Sequence, residues 1–487
     1  MNVLFVYSSR SCRSPRIPLE SLQDIHLGIS YISAVLRAGG HSIRSAVLSS
    51  EWARKSAEML GALMDEFHPR LVCFTSVSSQ YGFVHELARG IKARWPDTFL
   101  LVGGACVSLD PQAAIGDPFD ALCVGEGEYP AAELVEALEA GRSPLGIANL
   151  WIKTPGGSVE ANPTRPFLAD LDQLPFPDRR MWEPWVRPGG KARHTLLVSR
   201  GCPFRCAYCS NHALCKLAEG RYVRFRSPAN IVAEAAHLRR SYPEVREVYL
   251  QSETIALDLD WVGELGDRLA EFNRSLAEPL RFGCNLRVTR ACLDERFFSA
   301  FARANVRTVE IGLESGSERV RQQILRRTYT NQEFLAAVDL ARRHGMRVNL
   351  YNMVGLPTET PAEHLETVEM NRRVCPDQCY TSIFYPYPGT DLYTVCEAQG
   401  LLKHHLPTPW ERSVATLDLP TFPRHEIQRA YDWFEFRVYR GRRSFLFRLR
   451  KLISCKMLSP GWLGALFNRL LPLWHRLRER HGPPPAA

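Results

Sequence analysis

The sequence predicts an α/β protein with three parts: a doubly wound, Rossmann-like N-terminal domain, a partial (β/α)6 barrel and a small, mainly helical C-terminal region. Its 487 residues are enough for about three domains. Hydrophobic residues make up 45% of the chain and charged residues 23%, which is typical of a folded globular protein. Two successive regions alternate short apolar runs with amphipathic stretches, a pattern that indicates parallel sheets covered by helices.

The first domain is expected over residues 1–150. The predicted strands are 3–7, 71–74, 99–102 and 121–124, and the predicted helices are 28–37, 83–94 and 129–140. These strands are apolar without polar alternation, so both faces of their sheet are expected to be buried.

Small residues follow each of these strands, at the sheet edge where open parallel sheets bind ligands. Small side chains let the backbone approach a large planar or phosphorylated ligand, although turns between strands and helices favour Gly and Ser in any case. The candidate binding residues at this edge are Ser8, Thr75, Ser76, Ser78, Gly103, Gly104, Gly125 and Glu126.

Residues 151–190 are rich in Pro and Asp and are expected to form a linker. Regular alternation resumes over residues 191–400, with predicted strands 194–199, 247–251, 280–285, 308–312, 347–353 and 379–385. The intervening helices are predicted at 229–241, 259–273, 294–304, 317–325 and 331–344. Six repeats are too few for a complete eight-stranded barrel and fit an open one, whose chemistry lies at the carboxyl ends of the strands. Residues 401–487 form the C-terminal region.

Three cysteines follow the first barrel strand with the spacing Cys-x3-Cys-x2-Cys, namely Cys202, Cys206 and Cys209. Three thiolates leave one iron of a 4Fe-4S cluster open to a ligand that is not a protein group. A zinc site with His212 or Cys215 as the fourth ligand is the alternative.

This cysteine loop, with Tyr208 before its last cysteine, resembles the signature of the radical S-adenosylmethionine enzymes. Three later segments resemble motifs of the members that carry an N-terminal cobalamin-binding domain, namely 310–317, 352–360 and 385–390. Segments 27–41, 102–104 and 120–128 resemble landmarks of that first domain. The resemblance covers about residues 1–400.

The resemblance implies three cofactors: a 4Fe-4S cluster on the three cysteines, S-adenosylmethionine on the open iron, and cobalamin on the eight small-residue positions named above. The S-adenosylmethionine contacts that it implies are Tyr208, Glu253, Arg287, Glu314, Ser315, Gly355 and Pro357. Gln251 and Ser252 depart from the two glycines that many of these enzymes carry before the Glu. For Arg287 and Glu314, an ordinary buried ion pair is the alternative.

His26 lies in a string that nearly matches a cobalt-ligating motif, but the gap to Gly28 is one residue short. We therefore interpret His26 as a surface or capping residue and expect cobalamin without a protein histidine on the metal. No role is assigned to Cys106, Cys375 or Cys379.

The activity implied is methylation at an unactivated carbon of a biosynthetic intermediate, through a 5′-deoxyadenosyl radical and methylcobalamin. Radical cyclisation, ring contraction or oxidation without methyl transfer is the first alternative, and a non-catalytic cobalamin-binding sensor is the second. A flavodoxin or ferredoxin is implied as the electron donor. The sequence singles out no catalytic side chain and does not identify the substrate.

The net charge of +9 comes from the end of the chain, since residues 437–480 carry twelve Lys or Arg and one acidic residue. The remaining residues net −2, so no nucleic-acid partner is expected. The basic, amphipathic tail is interpreted either as a contact with an anionic membrane surface or as a helix packed on the enzyme. The modest cysteine content and the lack of an 18-residue apolar run favour a cytoplasmic location.

Overall fold

The computed structural model describes residues 1–9, 14–404 and 410–457, with the side chains of residues 403, 404, 456 and 457 left aside. The chain divides into two compact units. The first comprises Met1–Ile311, Gln332–Val348 and Pro386–Thr394, and the second comprises Gly312–Asn331, Asn349–Tyr385 and Val395–Ala487. The sequence-based domain boundaries at residues 150, 190 and 400 remain predictions.

The N-terminal part of the chain alternates strands and helices. Its elements are β1 (Asn2–Ser8), α1 (Leu27–Ala38), β2 (Ser42–Leu48), α2 (Ala53–Phe67), β3 (Leu71–Thr75), α3 (Tyr81–Arg94), β4 (Phe99–Gly103), α4 (Ala105–Leu109), α5 (Pro111–Ile115), β5 (Ala121–Cys123), α6 (Glu128–Glu139), β6 (Leu150–Lys153) and β7 (Val159–Ala161).

These strands form one seven-stranded sheet in the order β2-β1-β3-β4-β5-β6-β7. The first five are parallel, and β6 and β7 continue the sheet as antiparallel strands. The sheet therefore extends to Ala161, into the segment expected to be a linker. Its central strands are almost entirely buried, in agreement with their apolar sequence.

The elements that follow continue the alternation. They are β8 (Arg193–Leu197), β9 (Ser199–Arg200), α7 (Asn211–Leu214), β10 (Arg224–Phe225), α8 (Pro228–Ser241), β11 (Glu247–Gln251), α9 (Leu259–Arg274), β12 (Arg281–Leu286), α10 (Glu295–Arg303), β13 (Val306–Glu314), α11 (Asn331–Arg343), β14 (Arg347–Val354), α12 (Pro361–Val374), β15 (Gln378–Ile383), α13 (Asp391–Ala398), α14 (Arg424–Asp432), α15 (Phe434–Val438) and α16 (Phe445–Met457).

A six-stranded sheet has the order β15-β14-β13-β12-β11-β8, which is the succession expected of an open (β/α)6 barrel. Its pairs β8–β11, β11–β12, β12–β13 and β14–β15 are parallel. The predicted helix at 317–325 instead contains a π-helical turn, Val320–Ile324. The fold class is the one predicted: an α/β chain with a Rossmann-like sheet, a partial barrel and C-terminal helices.

The first helix of the basic tail, α16, packs on the second unit. Phe447 lies against Tyr439 with ring centroids 5.5 Å apart, and Lys451 Nζ lies 2.9 Å from Glu435 Oε2. Leu446 and Ile453 are exposed. Residues 458–487, the rest of the predicted tail, lie outside the described part of the chain. No helix in the described ranges is long and apolar enough to cross a bilayer.

Candidate functional site

The cysteine loop begins at a turn that requires glycine. Gly201 has a φ of 83°, and a Cβ built there would lie 2.2 Å from the carbonyl oxygen of Tyr222. The turn follows β9, which pairs with β10 in a short antiparallel ribbon. The loop that holds the three cysteines therefore starts at the carboxyl end of the first barrel strand, where barrel enzymes place their chemistry.

Each of the three thiols has a polar neighbour from another part of the first unit or from the loop itself. Cys202 Sγ lies 3.3 Å from Thr254 Oγ1, and Arg287 Nη1 donates to Cys206 Sγ at 2.6 Å. Asn211 Nδ2 donates to Cys209 Sγ at 3.8 Å. The N–H groups of Arg287 and Asn211 are donors of the kind that stabilise iron-bound thiolates, whereas the Thr254 hydroxyl donates to the Glu253 carbonyl oxygen. Burial raises the pKa of Cys209 to about 11, so binding to iron has to displace the thiol proton.

The proposed fourth zinc ligands are engaged elsewhere. His212 Nδ1 donates to the carbonyl oxygen of Cys209 at 2.6 Å, and its Nε2 lies 2.9 Å from Asp391 Oδ1. Cys215 Sγ donates to the carbonyl oxygen of His212. In the part of the chain that is described, no group of three or more His, Cys, Asp or Glu residues converges on one metal ion. Since the cysteines of a 4Fe-4S cluster bind separate irons, the donor set fits the cluster better than zinc.

Three of the predicted S-adenosylmethionine contacts lie in the first unit with the cysteines. Glu253 accepts a hydrogen bond from Asn211 Nδ2 at 3.0 Å, and desolvation raises the pKa of its carboxyl. Arg287 lies over the Phe204 ring at 3.9 Å from its centroid. Tyr208 is half-buried within the loop itself. Asn211 and Phe204, which the sequence analysis did not single out, thus join the predicted residues around the loop.

The other four predicted contacts belong to the second unit. Glu314 Oε1 accepts a hydrogen bond from Arg327 Nη1 at 2.6 Å, so the buried ion pair considered as its alternative is present. Ser315 is fully buried and its Oγ accepts from the N–H of Ser317. The N–H groups of Gly355 and Leu356 both donate to Glu359 Oε2, which fixes the turn that precedes Pro357.

A cavity of about 290 Å³ opens at the edge of the N-terminal sheet. Five of the eight predicted cobalamin contacts line it, namely Thr75, Gly103, Gly104, Gly125 and Glu126. Ser8, Ser76 and Ser78 are not among its lining residues; Ser8 and Ser76 are buried, and Ser78 begins a single helical turn. Apolar side chains form much of the wall, including those of Phe5, Ile29, Leu101 and Ala131.

The glycines of this cavity let its walls come together. Gly104 has a φ of 103°, and a Cβ there would lie 2.7 Å from the Ser76 carbonyl oxygen and 2.9 Å from Thr75 Oγ1. A Cβ on Gly127 would lie 2.8 Å from Ile32 Cδ1. An apolar cleft with small residues at its mouth fits a large cofactor with a buried nucleotide tail.

His26 also lines the cavity, in the capping role that the sequence analysis favoured. Its Nδ1 accepts a hydrogen bond from the N–H of Ile29 at the start of α1. Burial lowers the pKa of His26 to about 4, so the ring is neutral at pH 7. A neutral ring that accepts at Nδ1 carries its proton on Nε2, so Nε2 is a hydrogen-bond donor.

An arginine at the start of the cysteine loop lines the same cavity. Arg200 donates to Glu126 Oε1 at 3.0 Å and to Glu128 Oε1 at 2.5 Å. Arg224 also donates to Glu126, and although burial alone would raise the pKa of Glu126, these two arginines hold it below its ordinary value. Within the first unit, the wall of the cavity and the start of the cysteine loop are therefore joined by partly buried ion pairs. Arg200 is the last residue of β9, and a single Arg at a strand end has no sequence pattern that predicts this role.

Comparison with known proteins agrees with both halves of this site. Residues 196–370 match the Radical SAM superfamily, and residues 21–135 match the B12 binding domain. An uncharacterized methyltransferase of Pyrococcus horikoshii is 26% identical over 395 residues, which cover 80% of this chain and 82% of that protein. The anaerobic magnesium-protoporphyrin IX monomethyl ester cyclase of Rubrivivax gelatinosus is 26% identical over 86% of this chain and 76% of that protein.

A solved structure has the same fold. The radical S-adenosylmethionine methyltransferase TsrM from Kitasatospora setae, with cobalamin and a [4Fe-4S] cluster bound, superposes with a TM-score of 0.62 at 18% identity, covering 82% of this chain and 75% of that one.

The two matched segments and the site define a class of protein, the radical S-adenosylmethionine superfamily. Within it, this chain belongs to the members with a B12-binding domain. It is a cobalamin-dependent radical S-adenosylmethionine enzyme, and its cofactors are a 4Fe-4S cluster, S-adenosylmethionine and cobalamin.

Proposed function

We propose that the enzyme methylates an unactivated carbon of a small biosynthetic intermediate. The observation that carries the proposal is Arg200, which lines the cobalamin cavity two residues before the first cluster cysteine. Its ion pairs with Glu126 and Glu128 support a site in which the two cofactors adjoin. Methyltransferases among the similar proteins favour methyl transfer.

When bound, the cluster and S-adenosylmethionine supply a 5′-deoxyadenosyl radical, and cobalamin supplies the methyl group. The protein's own residues bind and orient these groups. The three cysteines would hold iron, Tyr208 within the loop and Glu253 beside it would contact S-adenosylmethionine, and Gly104 lets the backbone of the cavity wall approach closely. The partly buried ion pairs of Glu126 with Arg200 and Arg224 would fix the cavity wall next to the cysteine loop.

The test is a product analysis on anaerobically purified full-length protein with reconstituted cluster and cobalamin. S-adenosylmethionine, dithionite and a panel of candidate substrates are added, and 5′-deoxyadenosine and S-adenosylhomocysteine are quantified in the same quenched sample. Methyl transfer predicts both products, with S-adenosylhomocysteine dependent on cobalamin. The Cys206→Ala variant is the control that should give neither radical product nor methyl transfer.

Radical chemistry without methyl transfer is the second candidate, because a cyclase is among the similar proteins. It predicts 5′-deoxyadenosine with a converted substrate and no S-adenosylhomocysteine above the cobalamin-free control. Neither product, from protein with a full cluster and bound cobalamin, would favour the non-catalytic sensor.

A small acidic electron carrier of the flavodoxin or ferredoxin class is proposed as the physiological reductant. A cytoplasmic location and contact of the basic tail with an anionic membrane are two further proposals. Liposome flotation of the full chain and of a chain ending at residue 444 distinguishes a tail that contacts an anionic membrane from a tail that only packs on the enzyme.

A further inference from the structure

Arg287 has a contact that S-adenosylmethionine binding does not explain. Its Nη1 donates to Cys206 Sγ at 2.6 Å, and the guanidinium carbon lies over the Phe204 ring, 3.9 Å from the ring centroid. Arg287 is 7% exposed and Cys206 is 5% exposed. The contact therefore joins a permanent positive charge to a thiol in a region that water hardly reaches.

The hydrogen-bond partners of the other two cluster cysteines are neutral groups, although the Glu253 carboxylate also acts on Cys209. Cys202 lies beside the hydroxyl of Thr254, and Cys209 beside the amide of Asn211. Among the three, Cys206 thus has the charged partner. Charge-assisted hydrogen bonds are about twice as strong as neutral ones, and a low dielectric strengthens them further.

We propose that Arg287 sets the reduction potential of the cluster by donating a hydrogen bond to the sulfur of Cys206. Reduction adds one electron from an external donor to the cluster, from the 2+ to the 1+ state, without breaking a bond. A fixed positive charge and an N–H donor stabilise the more negative reduced state more than the oxidised state, so they raise the potential. Phe204 holds the guanidinium in place and shields it from water.

This role is separate from a contact with the carboxylate of S-adenosylmethionine. Only Nη1 is engaged by Cys206, and Nε has no hydrogen-bond partner among the described residues. A guanidinium has five N–H groups, so one arginine can serve a sulfur and a carboxylate together. The two roles differ in one measurable respect: the effect on the potential exists before S-adenosylmethionine binds.

The experiment is a redox titration of reconstituted full-length protein followed by electron paramagnetic resonance, in the absence of S-adenosylmethionine. The variants are R287Q, R287K and R296Q. The last removes the same charge at an exposed arginine in the first turn of α10, whose side chain pairs with the N-cap residue Asp294. The proposal expects a more negative midpoint for R287Q, an intermediate one for R287K, and the wild-type value for R296Q. A wild-type midpoint in R287Q would overturn it.

A second measurement covers the case in which R287Q fails to hold four irons. Resonance Raman spectra of the wild-type cluster in H₂O and D₂O should show a deuterium shift of an iron–cysteine stretching mode, reduced in R287K. A wild-type spectrum that is insensitive to deuterium overturns the proposal. The proposal rests on the cluster of the proposed function, but the two can fail separately. Failure of methyl transfer appears as missing S-adenosylhomocysteine in the wild type. A wrong role for Arg287 appears as a midpoint potential that is the same in R287Q and the wild type.

Discussion

Gly104 shows how one missing Cβ shapes the cavity proposed to bind cobalamin. Its φ of 103° is open to glycine alone, and a Cβ would overlap the Ser76 carbonyl oxygen at 2.7 Å. Gly104→Ala should therefore lower the free energy of unfolding by about 1–3 kcal/mol and weaken cobalamin binding. Denaturant unfolding and the absorbance of bound cobalamin measure the two effects.

Gly90 is the matched control, since it lies in the exposed middle of α3 with nothing within 4 Å of a built Cβ. Gly90→Ala should raise stability by up to about 1 kcal/mol and leave cobalamin binding unchanged. Equal stability and equal cobalamin binding in the two variants would mean that the close approach of Gly104 to Ser76 does not require glycine.

Glu359 gives a pH dependence at a single buried residue. It is fully buried, accepts two backbone hydrogen bonds on Oε2, and burial raises its pKa from 4.5 to about 8. The folded chain thus binds a proton at Glu359 that the unfolded chain has released between these pH values. The stability of the wild type relative to Glu359→Gln should fall as the pH rises from 4.5 to 8. Denaturant unfolding at several pH values checks this, and a pH-independent difference between the two proteins would contradict it.

At the scale of the element, the sequence predicts buried strands well and edge elements poorly. The apolar runs 3–7, 71–74 and 99–102 match β1, β3 and β4 within two residues. The edge strand β2 was missed because its first half alternates exposed and buried residues and lacks a continuous apolar run. Strands β6 and β7 were missed because four-residue and three-residue antiparallel strands in a Pro-rich stretch show no helix-strand alternation.

The start of α12 carries a capping box that can be tested by itself. Thr360 Oγ1 accepts from the N–H of Glu363, and Glu363 Oε2 accepts from the N–H of Thr360 at 3.0 Å. Thr360→Ala removes the first bond and should cost about 1 kcal/mol of unfolding free energy, while Thr360→Ser keeps the hydroxyl and most of the stability. The denaturant midpoints of the wild type and the two variants measure this effect. An equal loss of unfolding free energy in both variants would assign the effect to the methyl group of Thr360 rather than to its hydroxyl.

At the scale of the molecule, the sequence predicts the loops of the candidate site more reliably than the contacts between individual side chains. The cysteine loop was found from its Cys-x3-Cys-x2-Cys spacing after a strand, and the small-residue loops were found because strand ends gather at one edge of a parallel sheet. The ion pairs of Arg200 with Glu126 and Glu128 were not, because they join residues more than 70 positions apart. Arg287 and Cys206 are likewise 81 positions apart, so the sequence did not predict their hydrogen bond. The family resemblance pointed instead to a contact of Arg287 with S-adenosylmethionine.

The two cofactor sites should be separable by mutation. The cavity of the N-terminal sheet is lined by Arg200 but by none of the three cluster cysteines. Cys202→Ala, Cys206→Ala and Cys209→Ala should each lose the cluster and all 5′-deoxyadenosine formation, since each thiolate binds a different iron. Cobalamin should still bind, with an absorption spectrum close to that of the wild type.

Cys215→Ala is the control for these variants. The Cys215 thiol donates to the His212 carbonyl oxygen, so the variant without it should keep its full iron content. Iron and sulfide analysis together with cobalamin titration measures both sites in each variant. Loss of cobalamin along with the cluster would show that the cysteine loop orders the cavity, through Arg200, rather than simply adjoining it.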